Sequence, residues 1–136
     1  MPKGKKKPNV LIVEDNLEIL EMLSTNLSRF FKVTTTPNGK EALRIAKKNP
    51  PDLALLDINV PGVDGYSLCK ILKEDRETKH IKVIMLTASY TDETGKTMGI
   101  AAGADAYLTK PVRSQTLLEK AHELLGLTYS KTVSQS

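Results

Sequence analysis

Three unbroken apolar runs limit how this chain can fold: Val10-Leu11-Ile12-Val13, Leu53-Ala54-Leu55-Leu56 and Val83-Ile84-Met85-Leu86. Each has strand length, and none alternates apolar with polar residues. A strand with one wet face alternates. A run without alternation fits a strand buried on both faces, as in a parallel sheet covered by helices on each side. Two weaker stretches complete the set. Lys32-Val33-Thr34-Thr35-Thr36 is β-branched but poor in large apolar groups, and Ala106-Tyr107-Leu108-Thr109 is short. Both suit the edges of a sheet.

Helical periodicity fills the gaps. Leu17, Leu20, Leu23, Leu27 and Phe30 recur at helical spacing after Asp15, with Glu18, Glu21 and Ser24 off that stripe. Ala42, Leu43, Ile45 and Ala46 predict a second helix, starting near Asn38-Gly39 and stopped by Pro50-Pro51. Leu68, Ile71 and Leu72 predict a third, entered through the turn-like Asp64-Gly65. A fourth is expected from Asp92 to Ala102, and a fifth from about Arg113 to Leu125, with Gly126 as its stop.

The order is a strand then a helix, five times over. Right-handed crossovers then give a doubly wound, five-stranded parallel sheet. The three apolar strands belong at its centre and the two weaker ones at its edges. The strand order 2-1-3-4-5 satisfies this, which is the flavodoxin-like (βα)5 arrangement of the α/β class.

Length and composition narrow the domain organisation. A chain of 136 residues, 40% hydrophobic, supports one domain with a real core. That domain is expected over residues 9–126, between a basic tail over 1–8 and a polar tail or linker stub over 127–136. The net charge of +4 resides in the first tail, because Lys3, Lys5, Lys6 and Lys7 account for all of it. The rest is neutral, so the basic balance belongs to the tail, which can touch nucleic acid or anionic lipid but reads more simply as solvated and disordered. The sequence holds no helix-turn-helix or other output segment, so direct DNA reading is unsupported. It holds no apolar run of ~18 residues to span a membrane, and its charged start lacks the apolar segment of a secretory signal. Cys69, the single cysteine, has no disulfide partner within the chain. A reducing, cytoplasmic location is the default expectation.

Chemistry-bearing residues collect at the strand ends. In an open parallel sheet, ligands bind beyond the carboxyl ends of the strands, at the switch in strand order. Glu14 and Asp15 follow the first strand, Asp57 the third and Lys110 the fifth, while Thr87 ends the fourth. Strands 1 and 3 flank the switch point, so Asp15 and Asp57 face one another there. Clustered carboxylates resist ionising together, and a hard divalent cation removes the conflict. Mg²⁺ suits such a site, since it takes oxygen ligands and keeps several waters. An ionised carboxylate can then attack phosphorus, with a lysine and a hydroxyl facing the transferred oxygens. Each residue also has a plainer use. Asp15 or Asn16 can cap the first helix, and Lys110 and Thr87 taken singly are ordinary surface and strand residues.

At this point the chain resembles the receiver domain of two-component response regulators, from about Asn9 to Leu125. Four stretches carry the likeness in order: Val10 to Asn16, Asp52 to Gly65, Val83 to Ala88, and Gly103-Ala104-Asp105-Ala106-Tyr107-Leu108-Thr109-Lys110-Pro111. The resemblance implies that Asp57 accepts a phosphoryl group from a histidine kinase or phosphotransfer protein. It implies that Asp15, Asp57 and the backbone carbonyl of Asn59 bind Mg²⁺, with Glu14 acting through metal-bound water. Lys110 would pair with Asp57, Thr87 would move toward the phosphoryl group, and Tyr107 would swing inward. A cis bond before Pro111 would orient Lys110. The implied output is a downstream protein partner bound at the face of the fourth helix, fifth strand and fifth helix, either by a monomer or by a phosphorylation-induced homodimer.

Other signals carry less. Gly95-Lys96-Thr97 imitates the end of a P-loop, but Tyr90 stands where that motif needs glycine. His80 and His122 lack partners at ligand spacing and are expected on the surface. Cys69, beside Leu68 in an amphipathic helix, is expected to be buried. Gly95 and Gly99 each cost roughly 1 kcal/mol relative to Ala within the fourth helix, which should be marginal. An aspartate-nucleophile phosphatase of the haloacid-dehalogenase type also places Asp after a strand and uses Mg²⁺. It needs a second Asp two residues later, and this chain has Asn59.

Overall fold

The computed structural model describes residues 7–87 and 102–129. Outside these lie all but the last residue of the helix expected from Asp92 to Ala102, with Gly95 and Gly99, and most of both tails.

Five strands form one parallel sheet: β1 (Asn9–Val13), β2 (Lys32–Thr36), β3 (Leu53–Asp57), β4 (Lys82–Thr87) and β5 (Ala106–Thr109). Their order is β2-β1-β3-β4-β5, as the apolar runs require. Successive side chains of a strand point to opposite faces, and in β1, β3 and β4 both faces are dry. Val10, Ile12, Leu53, Leu55, Ile84 and Leu86 face one way, toward α1 (Leu17–Ser28) and the C-terminal helix (Ser114–Leu124). Leu11, Val13, Ala54, Leu56, Val83 and Met85 face the other, toward α2 (Gly39–Lys48) and α3 (Gly65–Glu74).

Side chains of Asn and Asp start three of the helices by accepting hydrogen bonds from otherwise unpaired N–H groups. Asn16 accepts from Ile19 N, Asn38 from Lys40 N and Glu41 N, and Asp64 from Ser67 N. The C-terminal helix ends as expected, with Gly126 at φ +71°.

Two expectations about the core need correction. The apolar stripe of α1 begins at Leu20, because capping by Asn16 makes Leu17 the first helical residue and leaves it 68% exposed. At the other end the helix stops before Phe30, and Phe31 is the fully buried ring. The second correction concerns His122, expected on the surface. It is buried beside Phe30 and Phe31, with ring centroids 5.3 and 5.0 Å away. Its Nδ1 lies 2.7 Å from the carbonyl oxygen of Leu118, so that nitrogen carries the proton and donates it. His80 is exposed and Cys69 is fully buried, as expected.

Candidate functional site

The topology delivers the acidic residues to one place. β1 and β3 are neighbours at the point where the strand order reverses, and Val13 pairs with Leu56 in register. Glu14 and Asp57 follow those two residues directly. The capping role falls to Asn16, which leaves the Asp15 carboxylate available.

Carboxylate oxygens of Glu14, Asp15 and Asp57 lie within 4.8 Å of one another. Glu14 and Asp57 are buried, whereas Asp15 is open to solvent. Lys110 reaches this cluster from the end of β5. Its Nζ stands 2.8 Å from Glu14 Oε1 and 3.2 Å from Asp57 Oδ1. The ammonium thus meets the expected Asp57 and, at the shorter distance, Glu14 as well. Glu14 Oε1 receives no aligned hydrogen bond, so the ammonium is its ion-pair neighbour only. Glu14 Oε2 accepts from Asn16 N at 3.1 Å.

The electrostatics follow from this crowding. Burial foremost holds the Glu14 carboxyl above its ordinary range, with Asp57 adding to the rise and Lys110 and Asn16 N opposing it. Burial alone would lower the Lys110 ammonium. Its contacts with Glu14 and Asp57 outweigh that, so its proton is held more firmly than usual. Three carboxylates against one ammonium leave two negative charges, and every donor is a hard oxygen. These residues fit a divalent cation such as Mg²⁺.

The remaining site residues stand around the cluster. Thr87 ends β4, one position beyond the Leu86 that pairs with Asp57. Its carbonyl accepts from Lys110 N at 2.7 Å, which ties the end of β5 to that of β4. The Lys110–Pro111 peptide is cis. Asn59 lies exposed in the loop after β3. Tyr107 is half-buried in β5, opposite Met85, and packs against the core on the α2 and α3 side. The structure thus gathers Glu14, Asp15, Asp57 and Lys110 into contact, with Thr87, Asn59 and Tyr107 on adjoining segments.

Comparison with known proteins agrees with this geometry. Residues 10–122 match the family model described as the response regulator receiver domain. The response regulator PleD of Caulobacter vibrioides is 36% identical over 119 residues, which is 85% of this chain. Among solved structures, a putative response regulator from Chloroflexus aurantiacus has a TM-score of 0.83 and 38% identity, covering 89% of this chain and 99% of that one. The receiver domain of sensor histidine kinase PA1611 from Pseudomonas aeruginosa has a TM-score of 0.82 and 27% identity, covering 88% of this chain and 98% of that one. Its structure has a magnesium ion coordinated in the active-site cleft. The chain therefore belongs to the response-regulator receiver family of two-component systems. It spans a quarter of the length of PleD and about half that of several transcriptional regulators it also resembles. Among the described residues no helix is long and apolar enough to cross a membrane.

Proposed function

We propose that this chain accepts a phosphoryl group on Asp57 from a phosphohistidine of a histidine kinase or phosphotransfer protein, with Mg²⁺ required, and relays the signal by changing its partner-binding surface. One observation carries this reading: a buried carboxylate at the switch point lies among two further carboxylates and one ammonium, all within contact range.

Each residue has a role there. Asp57 attacks phosphorus through a carboxylate oxygen, forming a P–O bond as the donor's P–N bond breaks and the imidazole nitrogen takes up the electron pair. Asp15, Asp57 and the Asn59 carbonyl, with Glu14 close by, would hold Mg²⁺, which would supply positive charge that favours the transfer. Lys110 is held as an ammonium and faces the transferred oxygens from the opposite side. Thr87 offers a hydroxyl to one of them, and Tyr107 follows its movement. Asp57 is modified once and then released by water, so the chain acts as a signalling substrate rather than a turnover enzyme. Asn59, in place of the second aspartate of the haloacid-dehalogenase type, supports this. Output passes to a protein partner at the face expected of the fourth helix, fifth strand and fifth helix, of which β5 and the C-terminal helix lie among the described residues. A cytoplasmic setting accords with a kinase donor.

The test is incubation with acetyl phosphate and Mg²⁺, followed by intact-mass measurement. Wild type should gain one phosphoryl group and Asp57→Asn none. Sustained hydrolysis of a generic phosphomonoester would support the phosphatase instead.

A further inference from the structure

The residues that hold the metal site in shape extend beyond those that would touch the ion. The loop after β3 carries Asn59, and it rests on the start of α2 from the other side of β1. Gly39 N donates to the carbonyl of Pro61 at 2.8 Å. The approach is so close that a Cβ built on Gly39 would fall 1.8 Å from the Val63 carbonyl oxygen. Gly62, at φ +90°, leaves room for Asn38: a Cβ there would meet Asn38 Oδ1 at 2.7 Å. The same short connection grips the other arm of the site. Thr36, buried just before it, accepts through its carbonyl from Glu14 N at 3.2 Å, and Asn38 N donates to the Thr36 hydroxyl at 3.3 Å.

We infer that the connection Thr36–Gly39 is a strut that fixes the spacing between the Glu14–Asp15 segment and the loop carrying Asn59, with Gly39 as its positioning residue. Gly39 touches no reacting atom. Its hydrogen at Cα allows the backbone contact on which the loop's height depends. Any side chain there must push Val63 away, and Val63 is linked to Asn59 through a stretch that is anchored by buried Val60 and by Gly65 N donating to Ile58 O at 2.9 Å. Oxygen ligands of Mg²⁺ must meet near-octahedral geometry at short distance, so a shift of the loop weakens binding directly.

The inference rests on the metal-binding role proposed above, and calorimetric titration with MgCl₂ separates the two. If wild type binds no Mg²⁺, that role fails and the strut has no such purpose. With wild type binding, Gly39→Ala should weaken affinity at least ten-fold. Leu27→Ala, in the core at the far end of α1 and destabilised by the cavity it leaves, should stay within two-fold of wild type. Equal affinity in Gly39→Ala and wild type overturns the inference. Should Gly39→Ala fail to fold, amide hydrogen exchange of wild type decides instead. Saturating Mg²⁺ should slow exchange at Gly39 at least five-fold, and an unchanged rate overturns the proposal.

Discussion

Lys110 and Asp57 meet across an intervening strand: Nζ of the lysine lies 3.2 Å from Oδ1 of the aspartate, although β4 separates β3 from β5. The same ammonium lies closer still to Glu14, which follows β1 on the far side of β3. One cation thus balances carboxylates from two strands, and the cluster keeps a surplus of negative charge.

Removing that cation should have opposite effects on stability and on metal binding. Lys110→Met leaves buried carboxylates unpaired, which should cost about 2 kcal/mol in metal-free urea denaturation, below the full value for a buried pair because Lys110 is partly exposed. Mg²⁺ should bind more tightly, by about five-fold, because a competing positive charge is gone. Weaker Mg²⁺ binding in a folded variant would contradict the charge balance drawn for this site.

Glu14 makes the metal-free site sensitive to pH. Its carboxyl is raised in the folded protein by burial foremost. A raised carboxyl favours folding while protonated, so its contribution is complete below the ordinary glutamate range and is lost as pH rises through the folded value. Without Mg²⁺, Glu14→Gln should therefore gain stability over wild type as pH rises from acid toward neutral. It should also bind Mg²⁺ about ten-fold more weakly, as loss of a supporting ligand does elsewhere. Parallel stability curves for the two proteins from acid to neutral pH would remove this role for Glu14.

Much of this was legible in the sequence, for identifiable reasons. Strands buried on both faces show as unbroken apolar runs, so Val10 to Val13, Leu53 to Leu56 and Val83 to Leu86 located the sheet centre. Parallel topology then placed Asp15, Asp57 and Lys110 at one end. Periodicity cannot show where a cap begins, and so Leu17 was placed in a stripe that Asn16 excludes it from. His122 was misplaced because its burial depends on Phe30 and Phe31, which are remote in sequence. The Lys110–Glu14 contact depends on side-chain reach across two intervening strands, and the Gly39 strut on how two loops approach. Neither has a local signature.

Cys69 should be inert. It is fully buried, its Sγ donates to the Ala102 carbonyl at 3.4 Å, and burial pushes the thiol up to about 11. A raised thiol contributes stability that is complete below an ordinary thiol value and lost as pH rises through about 11. Native protein should resist iodoacetamide at pH 8 and react fully in urea. Rapid native labelling would show that α3 opens readily.

Asp105 fastens α3 to the sheet. Its Oδ2 accepts from Lys73 Nζ and from Val83 N, each at 2.8 Å, and Lys73 Nζ also donates to the Ile81 carbonyl at 2.7 Å. Asp105→Ala strands a partly buried backbone donor and should cost about 2 kcal/mol in urea denaturation. A loss within measurement error would mean that water satisfies Val83 N equally well.

The central claim is that Asp57 is the residue modified, and its chemistry allows a direct reading. After acetyl phosphate and Mg²⁺, borohydride reduction converts an aspartyl phosphate to homoserine, which peptide mass mapping then locates. The expected result is homoserine at position 57 alone, dependent on Mg²⁺. Homoserine at another carboxylate, or phosphate retained on a hydroxyl with Asp57 intact, would contradict it.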